Sequence, residues 1–221
     1  MNACVIVPTY NESKNIASIV KKLKGYNLEV VVVDDGSQDN TAKVAENYGA
    51  KVIKNAYNLG KGASLIKGFN YAIKNNFDIV ITMDGDGQHL PEEVLNFIQK
   101  AKESSACIFI GNRMLNTKDM PFLRKLTNLI MSLFISLIVK QYIPDTQCGF
   151  RLIKRELLEK LKLDTRHYET ESEIIIKAKQ LGYKIEVVPI KCIYRKLKSQ
   201  IHPFLDTLRF IRFIMRHYIR F

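Results

Sequence analysis

Short apolar runs alternate with helical patterns along the first half of the chain. The apolar runs predict strands over residues 3–8, 29–33, 51–54, 77–83 and 107–111. Between them, apolar residues recur at the spacing of amphipathic helices over 16–24, 41–48, 62–75 and 91–102. Buried strands that alternate with helices favour a mainly parallel sheet covered on both faces. The predicted fold class is therefore α/β.

Polar and acidic clusters follow three of these predicted strands. Residues 8–12 (PTYNE) follow the first strand, 34–37 (DDGS) the second and 84–88 (DGDGQ) the fourth. In parallel sheets, ligands bind at the carboxyl ends of the strands. We therefore expect the three clusters to meet in one cleft.

The 84–88 cluster has the composition of a metal site. Asp84 and Asp86 are separated by one glycine, so both carboxylates can turn toward one point. Two such carboxylates repel each other unless a hard cation such as Mg²⁺ or Mn²⁺ lies between them. Gln88 adds a neutral oxygen. The alternative is an acidic turn, in which Asp and Gly serve the backbone conformation.

The remaining polar segments allow more than one role. Asp35 is a candidate ligand for a nucleobase or ribose, whereas Ser37 or Asp39 is a candidate cap for the next helix. A loop over 58–62 (NLGKG) precedes another predicted helix, and its Lys61 suits a phosphate. This loop lacks the spacing of a Walker A motif.

Length and charge narrow the function classes. The 221 residues suit one sizeable domain, and a formal net charge of +12 points to a phosphate-rich partner. Nucleic acid, anionic lipid, a nucleotide and a merely solvated basic surface all fit that charge. The basic residues accompany apolar helices rather than an RNA or DNA motif, which argues against nucleic acid. No signal peptide is evident, and no stretch reaches the roughly 18–20 clean apolar residues that span a bilayer.

Two later segments are candidates for a membrane surface. Residues 121–142 predict an apolar helix with one polar stripe, formed by Arg124, Asn128, Ser132, Ser136 and Lys140. Such a helix suits shallow burial in lipid or, alternatively, the core of a domain. A basic amphipathic pattern near the C-terminus suits anionic headgroups or docking on the domain or a partner chain. We expect one domain over 1–200, including the 121–142 helix, and a C-terminal basic amphipathic helix over 201–221.

Seven ordered motifs run through nearly the whole chain. They are VIVPTYNESKNI, VVVDDGSQDNT, NLGKGASLIKGF, ITMDGDGQHLPEEV, the GNR at 111–113, DTQCGFRLIKRE and ETESEIIIKAKQLGYKIEVVPI. With them the chain resembles the family-2 glycosyltransferases, especially the dolichol-phosphate mannose synthase and polyprenyl-phosphate glycosyltransferase branch. The resemblance implies a GT-A (Rossmann-like) fold. It also implies inverting transfer from a GDP- or UDP-linked sugar to a polyprenyl phosphate at the cytoplasmic face of a membrane.

The resemblance further implies roles for single residues. The donor-binding positions are Pro8, Tyr10, Glu12, Asp35, Lys61 and Asp84. The metal ligands for Mg²⁺ or Mn²⁺ are Asp84, Asp86 and Gln88. The catalytic set is Asp86, Arg113, Arg151, Glu171 and Glu173. Within it, Arg113 and Arg151 would receive the acceptor phosphate, with Arg124 a weaker candidate for the same task.

Other functions stay open at this point. A phosphate acceptor is already a nucleophile at neutral pH and needs positioning by arginine more than a base. A hydroxyl acceptor on a growing glycan would require a base such as Glu171 or Glu173. A non-catalytic membrane-binding module is the third possibility, against which the intact 84–88 cluster argues. Many relatives continue into transmembrane helices, so we expect a peripheral enzyme here, or one held by an anchoring partner protein.

Overall fold

The computed structural model describes residues 2–194 and 209–215, built around one seven-stranded sheet. The strands are β1 (Ala3–Thr9), β2 (Glu29–Asp34), β3 (Lys51–Lys54), β4 (Ile79–Thr82), β5 (Ile108–Asn112), β6 (Arg151–Lys154) and β7 (Ile185–Pro189). Their order is β3-β2-β1-β4-β6-β5-β7. All neighbours are parallel except β6, which runs antiparallel to β4 and β5. The predicted α/β class with a mainly parallel sheet is confirmed.

Helices cover the sheet. They are α1 (Ile16–Gly25), α2 (Thr41–Asn47), α3 (Lys61–Lys74), α4 (Val94–Glu103), α5 (Phe122–Val139), α6 (Arg155–Leu158) and α7 (Glu169–Gln180). A 3-10 turn, Pro91–Glu93, leads into α4 and begins with a proline, whose missing N–H has no partner in a first turn anyway. α1 buries Ile16, Ile19, Val20 and Leu23, the spacing of one helical face.

The first half of the chain follows the sequence prediction closely. Strands β1 to β5 and helices α1 to α3 lie within two residues of the predicted bounds, and α4 begins three residues later than predicted because Pro91–Glu93 forms a 3-10 turn. The strand cores are apolar on both faces, and Val5, Ile6 and Val31 are fully buried, which explains their continuous apolar runs. β6, β7, α6 and α7 are additions that the local patterns did not predict.

Helix α5 turns its polar stripe toward the protein. Asn128, Ser132 and Ser136 are buried. The Ser132 hydroxyl accepts a hydrogen bond from the Thr146 amide at 2.9 Å, and the Ser136 hydroxyl accepts one from the Ile143 amide at 2.9 Å. The outward side of the helix is apolar and exposed, with Phe122, Leu123, Leu126, Leu129, Ile130, Leu133, Phe134 and Leu137.

The length and hydropathy of α5 can be compared with the expectation that no stretch of the chain is apolar enough to span a membrane. Within the part of the chain that the structure describes, it is the one helix long and apolar enough to cross a membrane, with a mean hydropathy of 1.7. The expectation concerned an uninterrupted apolar run, and this helix contains Arg124, Lys125 and Asn128, so it passes by length and mean hydropathy rather than by such a run. Length and composition alone are weak evidence for a span, since core helices of soluble proteins pass the same test.

Part of the predicted C-terminal helix is described. Residues 209–215 are helical, and Phe210, Phe213 and Ile214 are buried. The ring of Phe210 meets that of Phe134 on α5 edge-on, with centroids 6.1 Å apart. The remainder of 201–221, and with it the proposed boundary at residue 200, lies outside the described residues and stays a prediction.

Candidate active site

The three polar clusters meet at the carboxyl edge of β2, β1 and β4, which are neighbours in the sheet. The Asn11 amide donates to the Ser37 hydroxyl at 2.8 Å, which ties the first cluster to the second. Burial raises the pKa of Glu12, a bond from Asn15 opposes that shift, and the charge of Asp86 adds to it. Glu12 therefore lies within electrostatic reach of the carboxylates after β4.

Lys61 lies at the centre of this cleft. Its ammonium is 2.5 Å from Asp84 Oδ1 and 2.8 Å from Glu171 Oε1, so one cation bridges two carboxylates. Burial by itself would lower the pKa of Lys61, but Asp84 and Glu171 outweigh burial and raise it above its usual range. Burial likewise opposes ionisation of Asp84, yet Lys61 and His89 hold the pKa of that carboxyl well below its usual value. Lys61 and Asp84 are therefore both charged at neutral pH.

Gly149 makes this approach of two carboxylates possible. A Cβ atom at this position would lie 2.7 Å and 2.8 Å from the two oxygens of Asp84 and 2.9 Å from Glu171 Oε1. Real side chains do not come that close, so any larger residue would push the acidic groups apart. The glycine is thus part of the cleft's geometry.

A second chain of contacts runs from Asp86 to helix α5. The Gln88 side-chain amide donates to Asp86 Oδ2 at 2.5 Å. The oxygen of the same amide accepts a hydrogen bond from Arg124 Nη1 at 2.9 Å. Arg124 lies in the first turn of α5, and its guanidinium is 5.5 Å from the centre of the Tyr194 ring. The helix with the outward apolar face is therefore bonded directly to the acidic cleft.

Comparison with known proteins decides the family. The profile of glycosyl transferase family 2 matches residues 4–162, well over half of the chain. The chain belongs to glycosyl transferase family 2. It is therefore a glycosyltransferase, as the resemblance of its motifs implied.

Two relatives and one solved structure are similar over most of their lengths. The UDP-N-acetylglucosamine–dolichyl-phosphate N-acetylglucosaminyltransferase of Methanococcus voltae is 36% identical over 213 residues, covering 86% of this chain and 85% of the relative. The polyprenol monophosphomannose synthase of Mycolicibacterium smegmatis is 28% identical over 207 residues, covering 87% and 78%. Glucosyl-3-phosphoglycerate synthase from Mycobacterium tuberculosis, in complex with Mn²⁺, UDP-glucose and phosphoglyceric acid, matches with a TM-score of 0.78 at 19% identity. That match covers 97% of this chain and 79% of the other, and it confirms the GT-A fold.

The acidic cleft of this glycosyltransferase contains ligand atoms of the type that divalent metal ions prefer. Asp84, Asp86 and Gln88 offer hard oxygens, which Mg²⁺ and Mn²⁺ prefer. In residues 2–194 and 209–215, no group of three or more His, Cys, Asp or Glu side chains is arranged to hold a metal. Two carboxylates and an amide oxygen suit a hard divalent cation, and such a cation also takes phosphate oxygens as ligands.

Asp35, predicted to contact the nucleoside, has structural partners in the glycosyltransferase. Its buried carboxylate accepts hydrogen bonds from the Asn55 side chain at 2.6 Å and from the amides of Leu59 and Gly60 at 2.9 Å and 2.8 Å. These bonds order the loop that ends at Lys61, the first residue of α3. In this structure Asp35 thus acts on the cleft through the loop that carries Lys61.

The candidate cap of α2 is also placed. Asp39 Oδ1 accepts a hydrogen bond from the Thr41 amide at 2.9 Å, at the first residue of the helix. The N-cap residue itself is Asn40, whose side chain makes no capping bond. The Ser37 hydroxyl instead donates to Asp34.

Arg113 and Arg151, predicted to meet the acceptor phosphate, are both buried with protein partners. Arg113 donates to Asp145 through Nε at 2.7 Å and Nη2 at 2.9 Å. Arg151 donates to the backbone oxygens of Cys148, Glu171 and Thr146 at 2.8, 2.5 and 2.8 Å. The two residues are only 3% and 2% exposed, so their guanidinium groups present almost no surface to a phosphate in this structure. Arg124, the weaker candidate, is half-buried and lies at the mouth of the cleft.

The two predicted carboxylates of α7 have different surroundings. Glu171 faces Lys61 and the cleft. Glu173 is fully buried and accepts hydrogen bonds from the amides of Asp164 and Thr165 at 2.9 Å and 3.0 Å. Glu173 thus fixes the loop before α7, whereas Glu171 pairs with Lys61 beside Asp84.

Three residues of the site escaped the sequence prediction. Asp145 holds Arg113, Gly149 admits the carboxylates, and His89 packs below Asp84 with its Nδ1 3.3 Å from the Asp84 amide. Burial lowers the pKa of His89, in spite of the nearby Asp84. All three lie inside or beside motifs that carry the resemblance, DTQCGFRLIKRE and ITMDGDGQHLPEEV. Their position there was the available signal.

Proposed function

We propose that this glycosyltransferase moves a sugar from a GDP- or UDP-linked donor to a polyprenyl (dolichyl-type) phosphate, with inversion, at the cytoplasmic face of a membrane. The observation that carries the proposal is the junction of two unlike surfaces. An acidic cleft with a bridging lysine adjoins a helix whose outward face is apolar, and Arg124 belongs to both. The names of the two relatives, which specify a dolichyl phosphate and a polyprenol monophosphomannose, support the same acceptor class.

The donor half of the proposal rests on the charges of the cleft. A sugar leaves a nucleoside diphosphate as negative charge develops on the phosphate oxygens. Mg²⁺ or Mn²⁺ held by Asp84, Asp86 and Gln88 would offset that charge. Lys61 supplies a further positive charge at the N-terminus of α3, where helix amides favour anions. Glu12, together with Tyr10 and Pro8, is proposed to contact the nucleoside.

For the acceptor, the proposal is that Arg124 makes the first contact with the polyprenyl phosphate group. A guanidinium presents paired N–H groups that match phosphate oxygens, and this one is already fixed against Gln88 and Tyr194. The phosphate oxygen is itself the nucleophile, so positioning matters more than a base. Arg113 and Arg151 are proposed to act behind it, as buried positive charge in the wall of the cleft.

Helix α5 is proposed to lie along the lipid surface rather than to cross it. Its inward serines are bonded to Thr146 and Ile143, so the helix is part of the domain. Its outward side chains include Leu133 and Leu137, which are 59% and 68% exposed. An apolar patch of this kind marks a surface that water does not normally cover. The acceptor's phosphate would then reach Arg124 while its chain stays in lipid.

A hydroxyl acceptor is the second candidate, and one contact favours keeping it. Glu171 lies beside Asp84 and pairs with the Lys61 ammonium at 2.8 Å, so a carboxylate that could serve as a general base is part of the cleft. Glu173 is bound to the preceding loop and does not compete for this role. The two acceptors make opposite demands, since a phosphate depends on Arg124 and a hydroxyl on Glu171.

The proposal is tested with purified protein, Mn²⁺, short-chain polyprenyl phosphate and a panel of radiolabelled nucleotide sugars. The readout is label that partitions into organic solvent. We expect metal-dependent transfer from one donor, which falls at least about 100-fold in the Asp86→Ala protein because charge stabilisation at the leaving group is lost. Glu103→Gln, at an exposed position of α4, is the matched control and should transfer normally.

Two acceptor variants separate the candidates. Loss of transfer in Arg124→Met with activity kept in Glu171→Gln supports the phosphate acceptor. The reverse pattern supports a hydroxyl acceptor. Equal transfer by Asp86→Ala and the wild type would refute the proposed role of the cleft.

A further inference from the structure

Each of the predicted metal-binding side chains already has a partner within the chain. Asp84 Oδ1 pairs with the Lys61 ammonium at 2.5 Å. The Gln88 oxygen accepts from Arg124 at 2.9 Å, and the Gln88 nitrogen donates to Asp86 at 2.5 Å. Two cations on flexible stems thus take up oxygens of the kind that a divalent ion would use.

We propose that Lys61 and Arg124 are tethered counter-ions that occupy the oxygens of Asp84 and Gln88 in the substrate-free protein, so that the divalent cation binds together with the donor's diphosphate rather than ahead of it. This inference rests on the metal-dependent donor binding of the proposed function. It assigns to both residues a positioning role in addition to any contact with substrate.

The surroundings of Lys61 support this role. Without its ammonium, Asp84 and Glu171 would face each other across the space that Gly149 leaves open. Two neighbouring carboxylates repel each other, so the lysine stabilises their approach. Its side chain is only 16% exposed, so water screens the pair weakly.

The same ammonium opposes a lone divalent ion. A cation that approaches Asp84 meets a like charge 2.5 Å from the oxygen it needs. A diphosphate that arrives with the metal brings negative charge, and Lys61 can then exchange a carboxylate for a phosphate by rotation of its side chain. Metal and nucleotide therefore assist each other's binding, as linkage requires.

Arg124, on the side of the proposed lipid surface, likewise occupies an oxygen that the divalent cation would use. Arg124 gives up its hydrogen bond to the Gln88 oxygen when its guanidinium binds another oxygen instead. The phosphate of the lipid substrate, near the N-terminus of α5, would supply that oxygen. The effect is smaller than that of Lys61, because an amide oxygen carries no net charge.

The test measures Mn²⁺ binding by the electron paramagnetic resonance signal of free Mn²⁺, with the full chain and no lipid. Without nucleotide, Lys61→Met should bind Mn²⁺ at least about tenfold more tightly than the wild type, and Arg124→Met about threefold, as like charges are removed. Lys61→Arg retains the charge and should bind like the wild type. Lys74→Met is the matched control, because Lys74 is an exposed residue in the last turn of the same helix, at the end opposite to Lys61. UDP or GDP should tighten Mn²⁺ binding in the wild type much more than in Lys61→Met.

Different outcomes separate the two claims. If Lys61→Met binds Mn²⁺ alone no better than the wild type, while Asp86→Ala abolishes binding in the presence of nucleotide, the tethered counter-ions are refuted and metal use stands. If the wild type binds no Mn²⁺ with either nucleotide, the metal-dependent donor binding fails, and this inference fails with it. Should Lys61→Met not fold, Lys61→Met combined with Glu171→Gln removes the unpaired carboxylate, and the same tenfold criterion applies.

Discussion

Helices α4 and α5 are both amphipathic, but their polar sides point in opposite directions. α4 buries Val94, Phe97 and Ala101. α5 buries Asn128, Ser132 and Ser136 and exposes its leucines. A helix of the first kind is surrounded by protein on one side and water on the other. In α5 the polar groups find partners inside the protein, so its outer side is adapted to something other than water.

The comparison also shows how the cleft is joined to the helix with the exposed apolar face. The serines of α5 bind the backbone of the segment that leads to Gly149, and Arg124 binds Gln88. The inward polar face is thus built into the wall of the active site. Any force on the outer apolar face acts on a helix that the acidic cleft is bonded to.

Charges placed on the outside of α5 should have the largest effect. Replacement of Leu133 and Leu137 by glutamate removes two apolar side chains from the proposed lipid contact, and vesicle affinity should fall by about 100-fold or more. The measurement is flotation with vesicles that contain anionic lipid. Leu95→Glu, at an apolar position on α4 that is 46% exposed, should leave affinity unchanged. Equal retention of both proteins on vesicles would remove the distinction between the helices.

Replacing an apolar side chain by alanine should affect the free energy of unfolding differently on the two helices. Phe97 on α4 is fully buried and stacks on Phe150, with ring centroids 4.7 Å apart. Phe97→Ala should lower the free energy of unfolding by about 3–5 kcal/mol. Leu133→Ala on α5 should change it by less than about 0.5 kcal/mol, because that side chain touches little protein. Urea unfolding without lipid gives both values, and a large loss in Leu133→Ala would place the outer face against protein.

The inward polar face should give a smaller but measurable effect. Ser132→Ala leaves the buried Thr146 amide without an acceptor, which should cost about 1–3 kcal/mol of unfolding free energy. Thr127→Ala, on the exposed side of the same helix, should cost less than about 0.5 kcal/mol. Similar values for the two variants in urea unfolding would contradict a structural role of the inward stripe.

The sequence pattern predicts well the strands and helices whose own residues determine their burial. β1 and β2 are continuous apolar runs because both faces are covered, and α1 shows one clear apolar face. β6 escaped prediction because it begins with a buried arginine, Arg151, and takes its place between β4 and β5 only through tertiary pairing. The polar stripe of α5 was visible in the sequence, but its direction depends on the partners Thr146 and Ile143.

The site shows the same division. The acidic cluster and Lys61 were found from spacing and from the resemblance. The bridge that Lys61 forms between Asp84 and Glu171 joins elements far apart in the chain, so no local pattern predicts it. Arg113 was expected to be available to a phosphate, yet its guanidinium is taken by Asp145, 32 residues away. A basic residue in a motif predicts a charge, and only the fold decides what that charge meets.

The most direct test of the central claim offers the protein two lipids of equal chain length, a polyprenyl phosphate and the free polyprenol, with the radiolabelled donor and Mn²⁺ on vesicles. Transfer to the phosphate alone, with a product that releases its sugar under mild acid, is the result that this account predicts. Transfer to the polyprenol, or to neither lipid while a glycan hydroxyl is labelled, would contradict it.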